Sequence, residues 1–264
     1  MLDLHCHLLP AIDDGSKDLD TSIKMLDIAK KNNTKAIIAT PHVIEGKWLP
    51  SWEQIVESCN ILTTESRKYG LNIPIYPGGE VAIHMDMLDI VKGPGPYCLN
   101  SGRYILVELP AMEIPRFTED FFFTLEARGI TPVLAHPERH PLLAKEPEIV
   151  AEWIRRGILI QVNGSSIMGR MGDRAQAMAE LLLTRNMVHC IGSDAHSAKN
   201  RNPDLSKAAE RIVSLVGLEM ARQIMTVNPQ RIIDSQDVEV FAIQSGRKKS
   251  GIFQRLLNKF GGNW

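Results

Sequence analysis

The chain has 264 residues, 44% hydrophobic and 23% charged, the balance of an ordinary globular protein with one large core. Its 30 basic and 31 acidic side chains leave a formal net charge of −1, which excludes a global field drawing in nucleic acid or anionic lipid. No apolar run is long enough for a membrane span, the opening lacks signal-peptide regions, and four scattered cysteines suggest neither disulfides nor a zinc knuckle, so a reduced cytoplasm is expected.

In chain order, residues 2–5 form an apolar run that reads as a first strand, ending in His5-Cys6-His7, with Asp13 and Asp14 just beyond. A helix is expected over 18–31, with Ile23, Leu26 and Ala29 on one side and lysines on the other. The second strand, 36–40, leads to His42 in Thr40-Pro41-His42, and a helix follows over 52–69. The third strand, 73–77, leads to Glu80 through two glycines. The fourth, 104–109, carries Glu108 at its end. After a helix over 116–128, the fifth strand, 131–135, ends in His136-Pro137-Glu138-Arg139. A helix over 148–156, a sixth strand over 158–162 and a helix over 174–186 precede the seventh strand, 188–191, which leads into Ser193-Asp194-Ala195-His196. A last helical stretch covers 229–234. Gly70, Gly129 and Gly157 stand where helix C-caps are expected. Nearly continuous apolar runs alternating with helices predict a parallel sheet covered on both faces, as a barrel or a doubly wound sheet.

Six of these seven strands deliver a His or a carboxylate at the carboxyl end, the face on which a parallel barrel carries its active site. Imidazole and carboxylate without cysteine suit borderline to hard divalent ions. The inventory exceeds what a single tetrahedral ion needs, so two or three ions sharing a bridging carboxylate use it better. Each element has a bland alternative: a turn at Asp13-Asp14-Gly15, a strand-end salt bridge at Glu108. His84, expected on a helix, and His189, inside the seventh strand, read as packing or solvation. His140 is a candidate for supporting a ligand, and Cys6 reads as core.

Arg139 and Arg201 follow His136 and His196 closely enough to reach the same face, and guanidinium grips a phosphate monoester in bidentate fashion. The alternative is a surface pairing with Glu138 or Asp204. A cysteine-nucleophile phosphatase would need an arginine six residues after Cys, where Ile12, Glu65, Tyr104 and His196 stand instead. With no nucleophile elbow or phosphate loop either, metal-activated water is the remaining nucleophile. In 245–264, Arg247, Lys248, Lys249, Arg255 and Lys259 are interleaved with Ile252, Phe253, Leu256, Leu257 and Phe260. This basic amphipathic tail suits peripheral contact with a membrane or an acidic partner, or else a solvated terminus.

His5-Cys6-His7, Thr40-Pro41-His42, Glu80, Glu108, His136-Pro137-Glu138-Arg139 and Ser193-Asp194-Ala195-His196 together resemble the PHP (polymerase and histidinol phosphatase) superfamily. Within it the opening motifs are similar to the bacterial tyrosine-protein phosphatases encoded with capsular and exopolysaccharide genes. The resemblance runs from Met1 to about Asp234. It implies a distorted (β/α)7 TIM-like barrel over 1–234, a separate tail over 235–264 and three divalent ions, commonly manganese, with iron, zinc or cobalt as options. It further implies that His5, His7, Glu80 and Asp194 hold one ion, Glu80, Glu108 and His136 a second, and Asp14, His42 and His196 the third. Arg139 and Arg201 would bind phosphoryl oxygens, and Asp194 or a neighbouring metal-bound water would help protonate a leaving phenolate. The implied substrate is phosphotyrosine in protein, in the tyrosine-rich tail of a membrane-associated polysaccharide-assembly kinase. A phosphatase for a small monoester such as histidinol phosphate is the alternative. Gln161 to Ile167 departs from the family pattern and is expected on the cleft rim.

Overall fold

The computed structural model describes residues 1–244; the basic segment 245–264 lies outside the described residues. All seven apolar runs carry strands, but two of the stretches are broken, giving nine segments: β1 (Asp3–Cys6), β2 (Ile37–Ala39), β3 (His42–Val43), β4 (Ile75–Pro77), β5 (Glu80–Ala82), β6 (Tyr104–Glu108), β7 (Thr131–Ala135), β8 (Leu159–Asn163) and β9 (Cys190–Gly192). Every pairing between these strands is parallel, in the orders β1-β2-β4 and β3-β5-β6-β7-β8-β9. The break after β2 falls at Thr40-Pro41, where proline has no N–H to give the ladder. The break after β4 falls at Gly78-Gly79, which admit close neighbours: a Cβ on Gly79 would meet Val43 Cγ2 at 2.9 Å. At these breaks the hydrogen-bond ladder passes from one sheet to the other. A parallel bridge between Cys6 and Ala195 ties the end of β1 to the chain beyond β9, with His7 N–H donating to Ala195 O at 2.9 Å. The result is an α/β architecture built on a curled parallel sheet.

Strand side chains alternate between two cores, as the period of two requires. On β6, Tyr104 and Leu106 join Leu4, Ile38, Val133 and Leu159 inside the curl, a cluster that Ile232 and Ile233 also join. Ile105 and Val107 pack outward with Ile160, Val162 and the apolar faces of the helices. The helices at Leu19–Lys31, Trp52–Lys68, Thr118–Ala127, Pro147–Arg155 and Asp173–Thr184 fall where the sequence places them. Asp18 caps the first through Thr21 N, and Ser51 with Gln54 forms a capping box on the second. Gly70, Gly129 and Gly157 have φ of 69°, 76° and 104°, the left-handed region a helix C-cap uses. A further helix, Ser206–Val216, was not expected. His84 lies in the loop after β5, exposed and 3.4 Å from Asp86, rather than on a helix.

His189 is buried just before β9, where its Nδ1 accepts from Ile160 N–H at 3.0 Å and its Nε2 has no partner among the described residues. Burial lowers its pKa to about 4. A group depressed in this way contributes stability that is present above its unfolded pKa, near 6.5, and is lost as pH falls towards 4. Between pH 7 and pH 5 its contribution should drop by about 2 kcal/mol. His189→Leu should therefore be relatively more stable at pH 5 than at pH 7 when both proteins are unfolded in urea. An identical pH dependence in the two would sink this account.

Candidate metal centre

Register brings the expected residues together at the carboxyl ends of the strands. His42 pairs with Glu80 across β3 and β5, and Ala82 with Glu108 across β5 and β6. His136 and Asp194 follow β7 and β9 with φ of 33° and 51°, left-handed values that are uncommon for non-glycine residues and that cluster at functional sites. Two glycines make room for the first histidines: a Cβ on Gly192 would meet His5 Cβ at 2.4 Å, and one on Gly15 would meet His7 Cβ at 2.4 Å.

Three groups of donors result. His5 Nε2 and His7 Nε2 lie 3.1 Å apart, 3.3 and 3.2 Å from Glu80 Oε2 and 3.7 and 3.6 Å from Asp194 Oδ1. His136 Nε2 lies 2.9 Å from Glu80 Oε1 and 3.5 Å from Glu108 Oε1, so Glu80 faces two groups with its two oxygens. Asp14 Oδ1 is 3.5 Å from His42 Nε2 and 3.4 Å from His196 Nε2, and His7 joins this group. His42 turns its other nitrogen, Nδ1, to within 3.0 Å of Glu80 Oε2, so it borders two groups. Yet buried Glu80 Oε2 and His42 Nδ1 make no hydrogen bond among the described residues. Lone pairs of several imidazoles and carboxylates aimed at common points, with orphaned buried oxygen and nitrogen among them, fit divalent cations.

The pKa shifts follow from the same crowding. Burial works against a charge on His7, but the hydrogen bond to Asp13 and the nearby charge of Glu80 outweigh it and raise the pKa to about 10. Burial also opposes a charged His136, and its bond to Glu80 overrides this, raising it to about 8. His196 has no such partner, so burial and then the charge on His7 push it down to about 3. Glu80 stays well below the usual carboxylate range despite burial, held by His5 and by the bond from His136. Glu108 is pushed up by burial and by the charge of Glu80.

Beneath the donors runs a buried relay. His5 Nδ1 lies 2.9 Å from Gln161 Oε1, Gln161 Nε2 donates to Asn163 Oδ1 at 2.8 Å, and Asn163 Nδ2 donates to Asp194 Oδ2 at 2.8 Å. Gln161 and Asn163 are fully buried, so the start of the divergent segment supports two donor residues instead of forming a rim. Asp13 does the same for His7, at 2.6 Å from Nδ1. Such partners fix the tautomer and orientation of a ligating histidine. His140 does not touch the donors; its Nε2 lies 3.2 Å from the carbonyls of Pro110 and Glu113. Sequence spacing could not find the relay, because amides carry no metal-ligand signature. Trp48 was also missed: its ring stacks on His42 at 5.2 Å.

Arg139 and Arg201 both reach the site, and neither pairs with Glu138 or Asp204. Arg139 Nη1 donates to Asp194 Oδ2 at 2.7 Å, and Arg201 Nη2 to Asp194 Oδ1 at 2.8 Å. Asp194 thus accepts three side-chain hydrogen bonds. Its carboxyl lies well below the usual range: burial would raise it, but His5 and His136 outweigh that. The expected role of protonating a leaving group does not fit a carboxylate held this way; an anchor for the guanidiniums does. Both arginines stay about a third exposed, at 35% and 36%.

A family model for capsular polysaccharide synthesis proteins of the CpsB/CapC type matches residues 1–234. Tyrosine-protein phosphatase YwqE of Bacillus subtilis is 31% identical over 238 residues, covering 90% of this chain and 93% of that protein. Tyrosine-protein phosphatase CpsB of Streptococcus agalactiae is 29% identical over 238 residues, covering 88% of this chain and 98% of that protein. A crystal structure from work on YwqE of Bacillus subtilis and CpsB of Streptococcus pneumoniae, described as unique metal-dependent tyrosine phosphatases, superposes with a TM-score of 0.87. Its identity is 31%, over 92% of this chain and 98% of that one. The lactonase Lmo2620 of Listeria monocytogenes, at 13% identity and a TM-score of 0.54, shares the fold alone.

The relay makes a direct prediction. Gln161→Leu removes both of its side-chain hydrogen bonds and puts an apolar side chain of similar size in its place. Metal affinity should fall about 10- to 100-fold, read by competition with a chelating dye, while circular dichroism stays native. Unchanged affinity would show that the relay does not orient His5.

Proposed function

Because the chain belongs to the CpsB/CapC family of capsular polysaccharide synthesis proteins, we propose that it is a metal-dependent phosphatase that hydrolyses phosphotyrosine in proteins. The observation that carries this reading is the meeting of two guanidiniums with a cluster of His, Asp and Glu donors on one residue, Asp194. We assign His5, His7, Glu80 and Asp194 to one ion, Glu80, Glu108 and His136 to a second, and Asp14, His42 and His196 to a third, with manganese as the metal. We read the strands as seven staves, two of them interrupted, of the distorted (β/α)7 barrel of a PHP domain over 1–234.

Bound ions would supply Lewis-acid stabilisation of the phosphoryl oxygens and lower the pKa of water. The chain's own residues do the rest. Arg139 and Arg201, fixed from below by Asp194, present N–H groups to a tetrahedral dianion. Asp13 and Gln161 hold the His7 and His5 rings in place. The leaving phenolate belongs to a phenol with a pKa near 10, so it needs far less acid assistance than an alkoxide. The part-exposed arginines, with Asp14 46% exposed and Glu108 27% exposed, make a mouth open to a protein segment. A small monoester would be better served by an enclosed site. We place the enzyme in the cytoplasm, acting on the tyrosine-rich tail of a membrane-associated kinase of polysaccharide assembly. Among the described residues no helix is long and apolar enough to cross a membrane.

EDTA-treated protein should release phosphate from a tyrosine-phosphorylated peptide only when manganese is restored, and little from histidinol phosphate. The reverse preference, or release without metal, would overturn the reading. His136→Ala should lose bound metal and turnover together. Arg139→Ala should keep its metals yet bind phosphate about 10- to 100-fold more weakly, the loss of a charged hydrogen bond.

A further inference from the structure

Beside the metal donors lies a groove of about 420 Å3 that the mechanism above does not use. The segments that leave β3, β5 and β6 form it, through Ile44, Ile83, Leu109, Pro110 and Ala111. Its polar flank is acidic, Glu45 and Glu108, with His84 at the edge, and among the described residues no lysine or arginine lines it. A smaller pocket of about 100 Å3, lined by His136 and Arg139, shares Glu108, Leu109 and Ala111 with the groove. The cationic phosphoryl site and the apolar groove are therefore continuous across Glu108.

Both walls are tied to the centre. Ile44 is bridged to Trp48, whose ring stacks on His42. The opposite wall is pinned by His140, which holds the carbonyls of Pro110 and Glu113 at 3.2 Å. This gives His140 a purpose: it fixes the loop carrying Pro110 and Ala111. A volume in the range of ligand pockets, apolar on its sides and polar where it meets the reacting group, suits a ring with one polar end.

We propose that this groove is the subsite for the aryl ring of the phosphotyrosine residue, an assignment that rests on the phosphatase reading above. The arginines occupy the β7 and β9 side of the mouth, so the organic part of the ester extends over the β3 to β6 side. There it finds apolar walls, and acids that repel a second phosphate from the wrong end. Tyrosine selectivity then comes from shape and apolarity beside Glu108, while the arginines read only the phosphoryl group.

Ile44, half-buried, and Glu45, exposed, line the groove but not the smaller pocket that holds Arg139, and both lie outside the donor set. Ile44→Asp charges the groove and Glu45→Trp crowds it, and circular dichroism checks that each variant keeps its fold. Both should raise KM for a phosphotyrosine peptide about tenfold, the scale of a mismatched apolar pocket. Turnover at saturation and inhibition by inorganic phosphate, which needs only the arginine side, should be unchanged. A KM within twofold of wild type in both variants would overturn the assignment. So would a parallel weakening of phosphate inhibition, because the groove would then not be separate from the phosphoryl site. Metal-loaded wild type that is inert on the peptide would defeat the phosphatase reading itself, and is told apart because no variant is needed to see it.

Discussion

Glu80 carries a carboxylate that is 1% exposed and is approached by His5, His7, His42 and His136 at 3.3, 3.2, 3.0 and 2.9 Å. A charge buried this deeply is tolerated only when opposite charge or directed donors surround it. Much of the surrounding structure serves that requirement. The four imidazoles come from three different strands, His5 and His7 from the end of β1, His42 from β3 and His136 from the end of β7, so the sheet has to curl until these positions converge. Their rings must be held in one orientation, so Asp13 and Gln161 stand behind two of them. Their backbones must fit beside one another, so Gly15 and Gly192 stand where no side chain has room.

The sheet keeps its register through its irregular places. Ile37 lies opposite Ile75 before the breaks and His42 opposite Glu80 after them, the same offset, so the two donors stay direct neighbours at the mouth. Past the breaks the second stretch gains β6 as a neighbour, with Ala82 opposite Glu108. The left-handed residues His136 and Asp194 do similar work on the far side. Local regularity is given up at the positions where side chains must converge, which is where strained backbone is most often found.

Much of this could be read from the amino-acid order. Apolar runs located the strand stretches because strands covered on both faces must be apolar throughout, and the donor residues then fell at their carboxyl ends. What could not be read has physical causes. The breaks at Thr40-Pro41 and Gly78-Gly79 are tertiary, set by which sheet each segment joins. Gln161 and Asn163 belong to an apolar strand run, and only the curl shows that their amides point at His5 and Asp194. The neighbourhood of Asp194, with two guanidiniums and an amide donating to it, depends on residues far apart in the chain, and it removes the proton-donor role expected from motif likeness. Asp13 and Asp14 are adjacent, and only three-dimensional direction separates the one behind His7 from the one facing His42 and His196. The helix Ser206–Val216 follows β9 with no described strand after it, so strand-helix alternation gave it no place, although Ala208 and Ile212 lie buried at helical spacing.

The bridge between Cys6 and Ala195 joins residues 189 positions apart, and the first donor group draws on both ends of that span. Closing so long a loop costs roughly 5 kcal/mol of chain entropy, recovered only when the sheet completes its curl. During synthesis the amino-terminal histidines therefore emerge long before Asp194 exists to meet them. A ribosome must have passed β9 before the centre can assemble. The topology thus acts as a proofreading step: a prematurely terminated chain carries several of the donors but not their convergence, and so is denied the activity along with the fold.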